Sequence, residues 1–231
     1  ELSVGYKGDW GVDYTDWKYR EKITFDNTDS NVGTTTEDLL NFPVLIKLDS
    51  TNIDYAKTQN LGEDIRFFDS DGTSLSYQIE EWNESGTSYV WVKVPKINQN
   101  SDTDYIYMYY GNPLALDGQN GTDVWDENNY QAVWHLNETS GSVIDSGKSS
   151  YNGTAVGVNR GEMGFHSKGI FTDGSNSYID ILMGLGNIVT IESWAKATNT
   201  SFSNMLWCID SDNRGRSEER RVGKECRSRC A

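Results

Sequence analysis

An all-β fold of two tandem antiparallel β-sandwich modules is what this sequence predicts, and three observations carry the prediction. Runs of side chains alternate with period two and are dense in β-branched and aromatic residues, which suit a half-buried pleated surface. Clusters of Asp, Asn, Ser and Gly punctuate these runs at the spacing of a sandwich or barrel. A length of 231 residues also gives room for two β domains of ordinary size.

After a lead-in over residues 1–13, the first module is expected over residues 14–128. W-K-Y-R-E-K-I-T-F from Trp17 to Phe25 reads as its first strand, closed by the turn cluster D-N-T-D-S-N-V-G. F-P-V-L-I-K-L from Phe42 to Leu48 places Val44, Ile46 and Leu48 on one face, and a short helix is expected around Asn52 to Gln59. G-E-D-I-R-F-F-D-S-D-G from Gly62 to Gly72 reads as a strand entering a tight turn. Leu75, Tyr77 and Ile79 share the next face, before the turn N-E-S-G at Asn83. In V-W-V-K-V-P the residues Val90, Val92 and Val94 share a face, and Pro95 is expected to end the strand because proline cannot donate to a ladder. The cluster N-Q-N-S-D at Asn98 leads into Y-I-Y-M-Y-Y-G-N from Tyr105 to Asn112. There Tyr105, Tyr107 and Tyr109 oppose Ile106, Met108 and Tyr110, which predicts a strand covered on both sides. The expected core is Ile23, Val44, Ile46, Ile65, Phe67, Ile79, Val92 and Ile106. G-Q-N-G-T-D-V-W-D-E-N-N from Gly118 to Asn129 reads as the junction between modules.

The five segments beginning at Trp17, Phe42, Gly62, Val90 and Tyr105 together closely resemble the prokaryotic domain-of-unknown-function family numbered 2341, over about residues 14–128. That resemblance implies a non-catalytic module of large exported proteins with no established ligand. The second module opens at Ala132 with A-V-W-H-L-N-E-T-S-G and runs through Asp145–Thr154, Phe171–Ile181 and V-T-I-E-S-W-A-K-A at Val189. This series resembles the N-terminal half of a laminin-G-like, concanavalin-A-like jellyroll, so residues 130–213 are expected to be a truncated domain. Residues 214–231 read as a basic tail, and R-S-E-E-R-R-V-G-K-E-C-R-S-R from Arg216 to Arg229 resembles a translated sequencing adaptor.

The chain carries a net charge of −15, and the seven basic and three acidic residues of the tail leave −19 on the 213 residues before it. A surface so acidic repels phosphate backbones and argues against nucleic acid as a partner. Of the cysteines, Cys226 and Cys230 lie in the tail and Cys208 sits in M-L-W-C-I, which gives neither a disulfide framework nor Cys/His zinc spacing. No apolar run approaches the roughly 18 residues of a membrane helix, so no direct membrane insertion is expected.

Candidate chemical residues are few. Glu80, Glu81 and Glu84 lack the E-x-D-x-E pattern of jellyroll glycosidases, and adjacent Glu80 and Glu81 are expected on opposite faces of a solvated edge. His135 in V-W-H-L reads as a hydrogen-bonded wall residue of a strand, and His166 has no nucleophile pattern beside it. With Asp71 and Gly72 set at positions five and six of a calcium loop, Phe67 and Gln78 would fall at the ligating ends, which excludes that loop. Asp145 and Asp173 are candidate calcium ligands, in turns where related jellyrolls sometimes hold that ion. Trp82 and Trp91, with polar neighbours, are the candidate ligand-binding platforms, since exposed Trp and Tyr offer flat faces to sugar rings.

No catalysis is therefore expected. The expectation is a recognition or spacer module of a larger extracellular, cell-surface or periplasmic protein, its partner a glycan or cell-surface protein. One alternative is the external domain preceding a proton-channel segment that resembles the flagellar-motor and TonB-linked families. Another is the targeting region of a secreted glycoside hydrolase.

Overall fold

In the computed structural model the described residues are 16–32, 36–125, 130–164, 166–173, 175–183 and 190–196, with the side chains of 31 and 32 left aside. The lead-in, residues 126–129 of the expected junction, Cys208 and the entire basic tail lie outside them. The chain divides into two compact units, Glu1–Val133 with Ser146–Ser149, and Trp134–Asp145 with Ser150–Ala231.

In the first unit the alternating runs become β1 (Tyr19–Thr24), β2 (Leu39–Leu48), β3 (Arg66–Asp69), β4 (Ser74–Leu75), β5 (Tyr77–Glu81), β6 (Ser88–Ile97) and β7 (Tyr105–Tyr110). Two four-residue helical turns, α1 (Asp29–Val32) and α2 (Gly121–Val124), interrupt them. The helix expected around Asn52 to Gln59 contracts to a 3₁₀ turn over Tyr55–Lys57, whose first free amide, on Ala56, is capped by the Asp54 carboxylate at 3.1 Å.

The strands form two antiparallel sheets, in the orders β1-β7-β3-β4 and β2-β6-β5. Only Ser76 separates β4 from β5, so one extended segment leaves the first sheet and enters the second. The inner faces share a core in which Ile65, Phe67, Val90, Val92, Ile106 and Met108 have no exposed surface. Ile46 joins them, while the expected core residues Ile23, Val44 and Ile79 are half-buried at its margin. On the side away from the β4–β5 crossover, β1 and β2 are the outermost strands among the described residues. A cleft of about 240 Å³ opens there, lined by Ile23, Phe25, Val44, Ile46 and Leu48.

Several expectations need correction. Pro95 does not end its strand: β6 continues to Ile97, with Leu39 opposite Ile97 and Phe42 opposite Val94. The reason is where the missing N–H points. Lys93 N donates to Ser76 O, on the β5 side, and two residues on Pro95 faces the same side where β5 has not yet begun, so no ladder bond is lost. The tyrosine strand, β7, is not equally covered on its two faces either. Ile106, Met108 and Tyr110 are buried, whereas Tyr105, Tyr107 and Tyr109 are only half-buried. The expected junction is also partly built into the first unit, for Val124 and Trp125 are buried and Trp125 Nε1 donates to Gln78 Oε1 at 2.6 Å.

A buried carboxylate ties the strand ends together. Asp64 has no exposed surface, and its oxygens accept from the amides of Gln59 (2.8 Å), Gly111 (2.7 Å) and Asn112 (3.1 Å). Three donors to one carboxylate compensate its desolvation, which an unpaired buried charge could not survive. Gly111, at φ 91, lies against the Tyr19 ring, where any Cβ would collide, so the turn after β7 needs glycine. Beside this knot, Tyr77 donates its hydroxyl to Ile65 O at 2.8 Å, and burial pushes its pKa up to about 12.

In the second unit β8 (Gly153–Val156) pairs with β11 (Tyr178–Ile181), and β9 (Asn159–Met163) pairs with β10 (Lys168–Phe171), both antiparallel. The V-W-H-L segment is not a strand. Trp134 makes one isolated bridge to Asp145, and Leu136 at φ 60 breaks the extended run that the sequence pattern suggested.

Candidate functional site

The outer face of the four-stranded sheet is the most distinctive surface of the first unit. In β1 the even positions Arg20, Lys22 and Thr24 point away from the core, opposite Tyr109, Tyr107 and Tyr105 of β7. On the other side of β7, Phe68 of β3 pairs with Tyr107. Each β1 cation leans diagonally onto the next tyrosine: Arg20 lies 4.3 Å from the Tyr107 ring centre, and Lys22 Nζ lies 3.8 Å from that of Tyr105. Such diagonal neighbours are within reach of long side chains across an antiparallel pair. Edge-to-face contacts continue the array, Tyr105 with Tyr107 at 5.4 Å and Phe68 with Tyr109 at 5.2 Å. A hydrogen bond to Tyr109 holds the Arg20 guanidinium above its usual pKa, so its charge is permanent. A shallow depression of about 40 Å³ lies beside Arg20, Phe68, Asp69, Tyr107 and Tyr109.

The tryptophans singled out by sequence are half-buried and lie on different faces. Trp82 packs against the core margin, edge-on to Tyr55 at 5.4 Å, with its ring over Gly62. Gly62 has φ 74, and a Cβ there would stand 2.8 Å from the indole, so the glycine is what admits the ring. Trp91 lies on the outer face of β6, where its Nε1 donates to Glu80 Oε2 at 3.1 Å and Trp125 meets it edge-on at 5.1 Å. Tyr130 extends that cluster, at 5.3 Å from Trp125. The structure therefore does not bring Trp82 and Trp91 into one site.

Glu80 and Glu81 do not simply alternate. The β5–β6 register shifts between Ile79 and Glu81, a bulge that leaves Glu80 bonded to Trp91 and both carboxylates half-buried. Asp145 is 6% exposed and accepts from Tyr151 N at 2.9 Å. Asp173 organises the turn between β10 and β11, accepting from Ser175 N, Asn176 N and Ser177 Oγ. These bonds, led by that from Ser175 N, hold its carboxyl below the usual range. Among the described residues no group of three or more His, Cys, Asp or Glu side chains is placed to hold a metal ion. No helix of the described residues is long and apolar enough to cross a membrane.

The string that carries Asp64, Phe68 and the tyrosine row has a counterpart among known families. A family model described as Domain of unknown function (DUF2341) matches residues 61–150. The match begins after β2, takes in Asp64 and all of β7, and ends just before the second unit's first strand, β8. No curated protein and no solved structure matches the chain.

Sequence reasoning missed the tyrosine and cation face. The signal was present in the shared parity of Arg20 and Lys22, and in that of Tyr105, Tyr107 and Tyr109. What it lacked was the pairing of β1 with β7, strands separated by some 80 positions, which alone sets the cations over the rings.

Proposed function

We propose that the chain is a non-catalytic recognition module of a larger exported, cell-surface or periplasmic protein, binding a glycan through the outer face of β1, β7 and β3. The observation that supports this reading is the row of half-buried tyrosines, Tyr105, Tyr107 and Tyr109, on the outer face of β7 between β1 and β3. Aromatic faces stack against the C–H surfaces of sugar rings, and a row along one strand addresses successive units of a polymer. A shallow surface buries little of each sugar, so single-site affinity is modest and attachment depends on several copies acting together. The second unit is proposed to begin a laminin-G-like, concanavalin-A-like domain, a reading supported by its antiparallel pairs and by the sequence resemblance.

The test is a glycan array and pull-down with the full chain displayed in several copies. Retention that is lost in Tyr107→Ala and Tyr109→Ala, but kept in Trp82→Phe and Trp91→Phe, supports the tyrosine face. If no glycan is retained, a spacer role replaces recognition. Release of free sugar from any polymer would overturn the non-catalytic reading and return attention to Glu80 and Glu81.

A further inference from the structure

We infer that the outer face of β1, β7 and β3 selects an anionic, uronate-bearing polysaccharide over a neutral one; this rests on the recognition reading above. Its basis is that the tyrosine faces are already occupied. Arg20 covers Tyr107 at 4.3 Å and Lys22 covers Tyr105 at 3.8 Å. A sugar ring that stacks on either tyrosine must first lift the cation away. A neutral ring offers that cation only uncharged hydroxyl acceptors, a weaker exchange for the aromatic contact. A uronate carries its carboxylate on the rim of the same pyranose whose C–H face stacks on the ring. The displaced guanidinium or ammonium then exchanges an aromatic contact for an ion pair, which Arg20 makes in bidentate form. The cations thus act as a gate that opens to negative charge.

The charge layout gives the bound polymer a direction. The two cations that cover tyrosines stand on β1, to one side of the row, while Asp71 stands on the β3–β4 turn at the other. Asp71 is held charged by its bond from Thr73 N, and Asp69 borders the depression with Phe68 and Tyr109. Carboxylates of the glycan therefore face β1, and its hydroxyls face the turn, where Asp71 is an acceptor. Glu21, between the two cations in sequence, has the opposite parity and lines the cleft between the sheets, so it does not neutralise this face. Single-stranded nucleic acid also stacks on tyrosines, and because the net charge of −15 opposes both polyanions alike, the experiment below tells them apart.

Affinity gel electrophoresis of the full chain decides the matter, with polygalacturonate, a neutral galactan or single-stranded DNA in the gel. The expected result is retardation by polygalacturonate about tenfold stronger than by the galactan, declining as salt rises toward roughly 0.5 M and exposed charges are screened. Arg20→Gln with Lys22→Gln should abolish the preference while retaining, or slightly raising, retardation by the galactan. Lys22→Arg should keep the preference, and thermal unfolding of each variant shows that the fold is retained. Equal retardation by both glycans, unchanged in the double variant, overturns the anionic preference and leaves the recognition reading standing. Stronger retardation by DNA than by polygalacturonate overturns it in favour of nucleic acid. Absence of retardation in every gel removes both readings.

Discussion

The first unit buries its strands between two sheets, whereas the described strands of the second unit form two separate two-stranded pairs. Both units were written in the same period-two alphabet, yet the outcome at the side chains differs. Phe67, Ile106 and Met108 have no exposed surface, while Val143 is the one hydrophobic residue among the described part of the second unit that reaches that state. Met163 is 98% exposed and Trp194 80%. The contrast shows what alternation does and does not encode. It fixes which side chains share a face, but burial requires a second layer to cover that face, and an isolated pair of strands cannot supply one.

The largest effect that can break this comparison is a cavity in the first unit. Phe67→Ala removes a fully buried ring that packs against Tyr77 at 5.4 Å, and should cost about 3–5 kcal/mol in urea unfolding. Met163→Ala should change stability by less than about 0.5 kcal/mol. Similar losses at both positions would mean that Met163 is covered in solution and that the two units are built alike. Hydrogen exchange sharpens the same contrast. Amides of β6 and β7 should exchange only through global opening, and those of β9 and β10 should exchange much earlier through local opening.

Asp64 tests whether polar groups contribute to the difference as well as apolar ones. Asp64→Asn turns an NH₂ group toward amides that now meet a carboxylate, leaving at least one of the Gln59, Gly111 and Asn112 donors without an acceptor. The expected loss is about 2–3 kcal/mol, read from the shift in urea midpoint at unchanged slope. No loss would show that the three amides do not depend on both carboxylate oxygens.

These residues also show how far the sequence could be read. Ile46, Ile65, Phe67, Val92 and Ile106 were assigned to the core correctly because a one-residue slip would have turned every one of them outward. Pro95 misled because the rule that proline ends strands concerns ladder donors, and its nitrogen faces a side of β6 where no strand is present. V-W-H-L misled because its apolar alternation does not reveal the positive φ of Leu136. Asp64 and the tyrosine face were invisible for a shared reason: each depends on a distant partner, Gly111 for Asp64 and Tyr107 for Arg20. Local pattern gives a residue's face, but not which strand lies beside it.

Tyr77 provides a pH test confined to the first unit. Its phenol is buried and neutral in the fold, with a pKa raised from the ordinary 10.0 to about 12 by desolvation, which the Arg66 guanidinium partly opposes. The unfolded chain loses this proton first, so the contribution to stability is complete below pH 10 and disappears as pH rises toward 12. Its size is about 2–3 kcal/mol. Tyr77→Phe should flatten the stability curve across that window while costing about 1 kcal/mol at neutral pH through loss of the bond to Ile65 O. An equally steep alkaline decline in the variant would assign the titration to Tyr55 or Tyr110, whose pKa values burial also raises.

A small expected effect matters most for function. Arg20 and Lys22 are exposed, and their contacts with Tyr107 and Tyr105 lie on the solvent side of a sheet whose stability comes from its other face. Arg20→Ala and Lys22→Ala should each cost no more than about 0.5–1 kcal/mol, the worth of a cation over an exposed ring. A unit whose core stays intact should remain folded through both changes. Losses well above that range would mean that the cations hold the tyrosine row in place, so that they shape the surface instead of guarding it. Losses within it, together with altered glycan retention, separate recognition from stability on the same face.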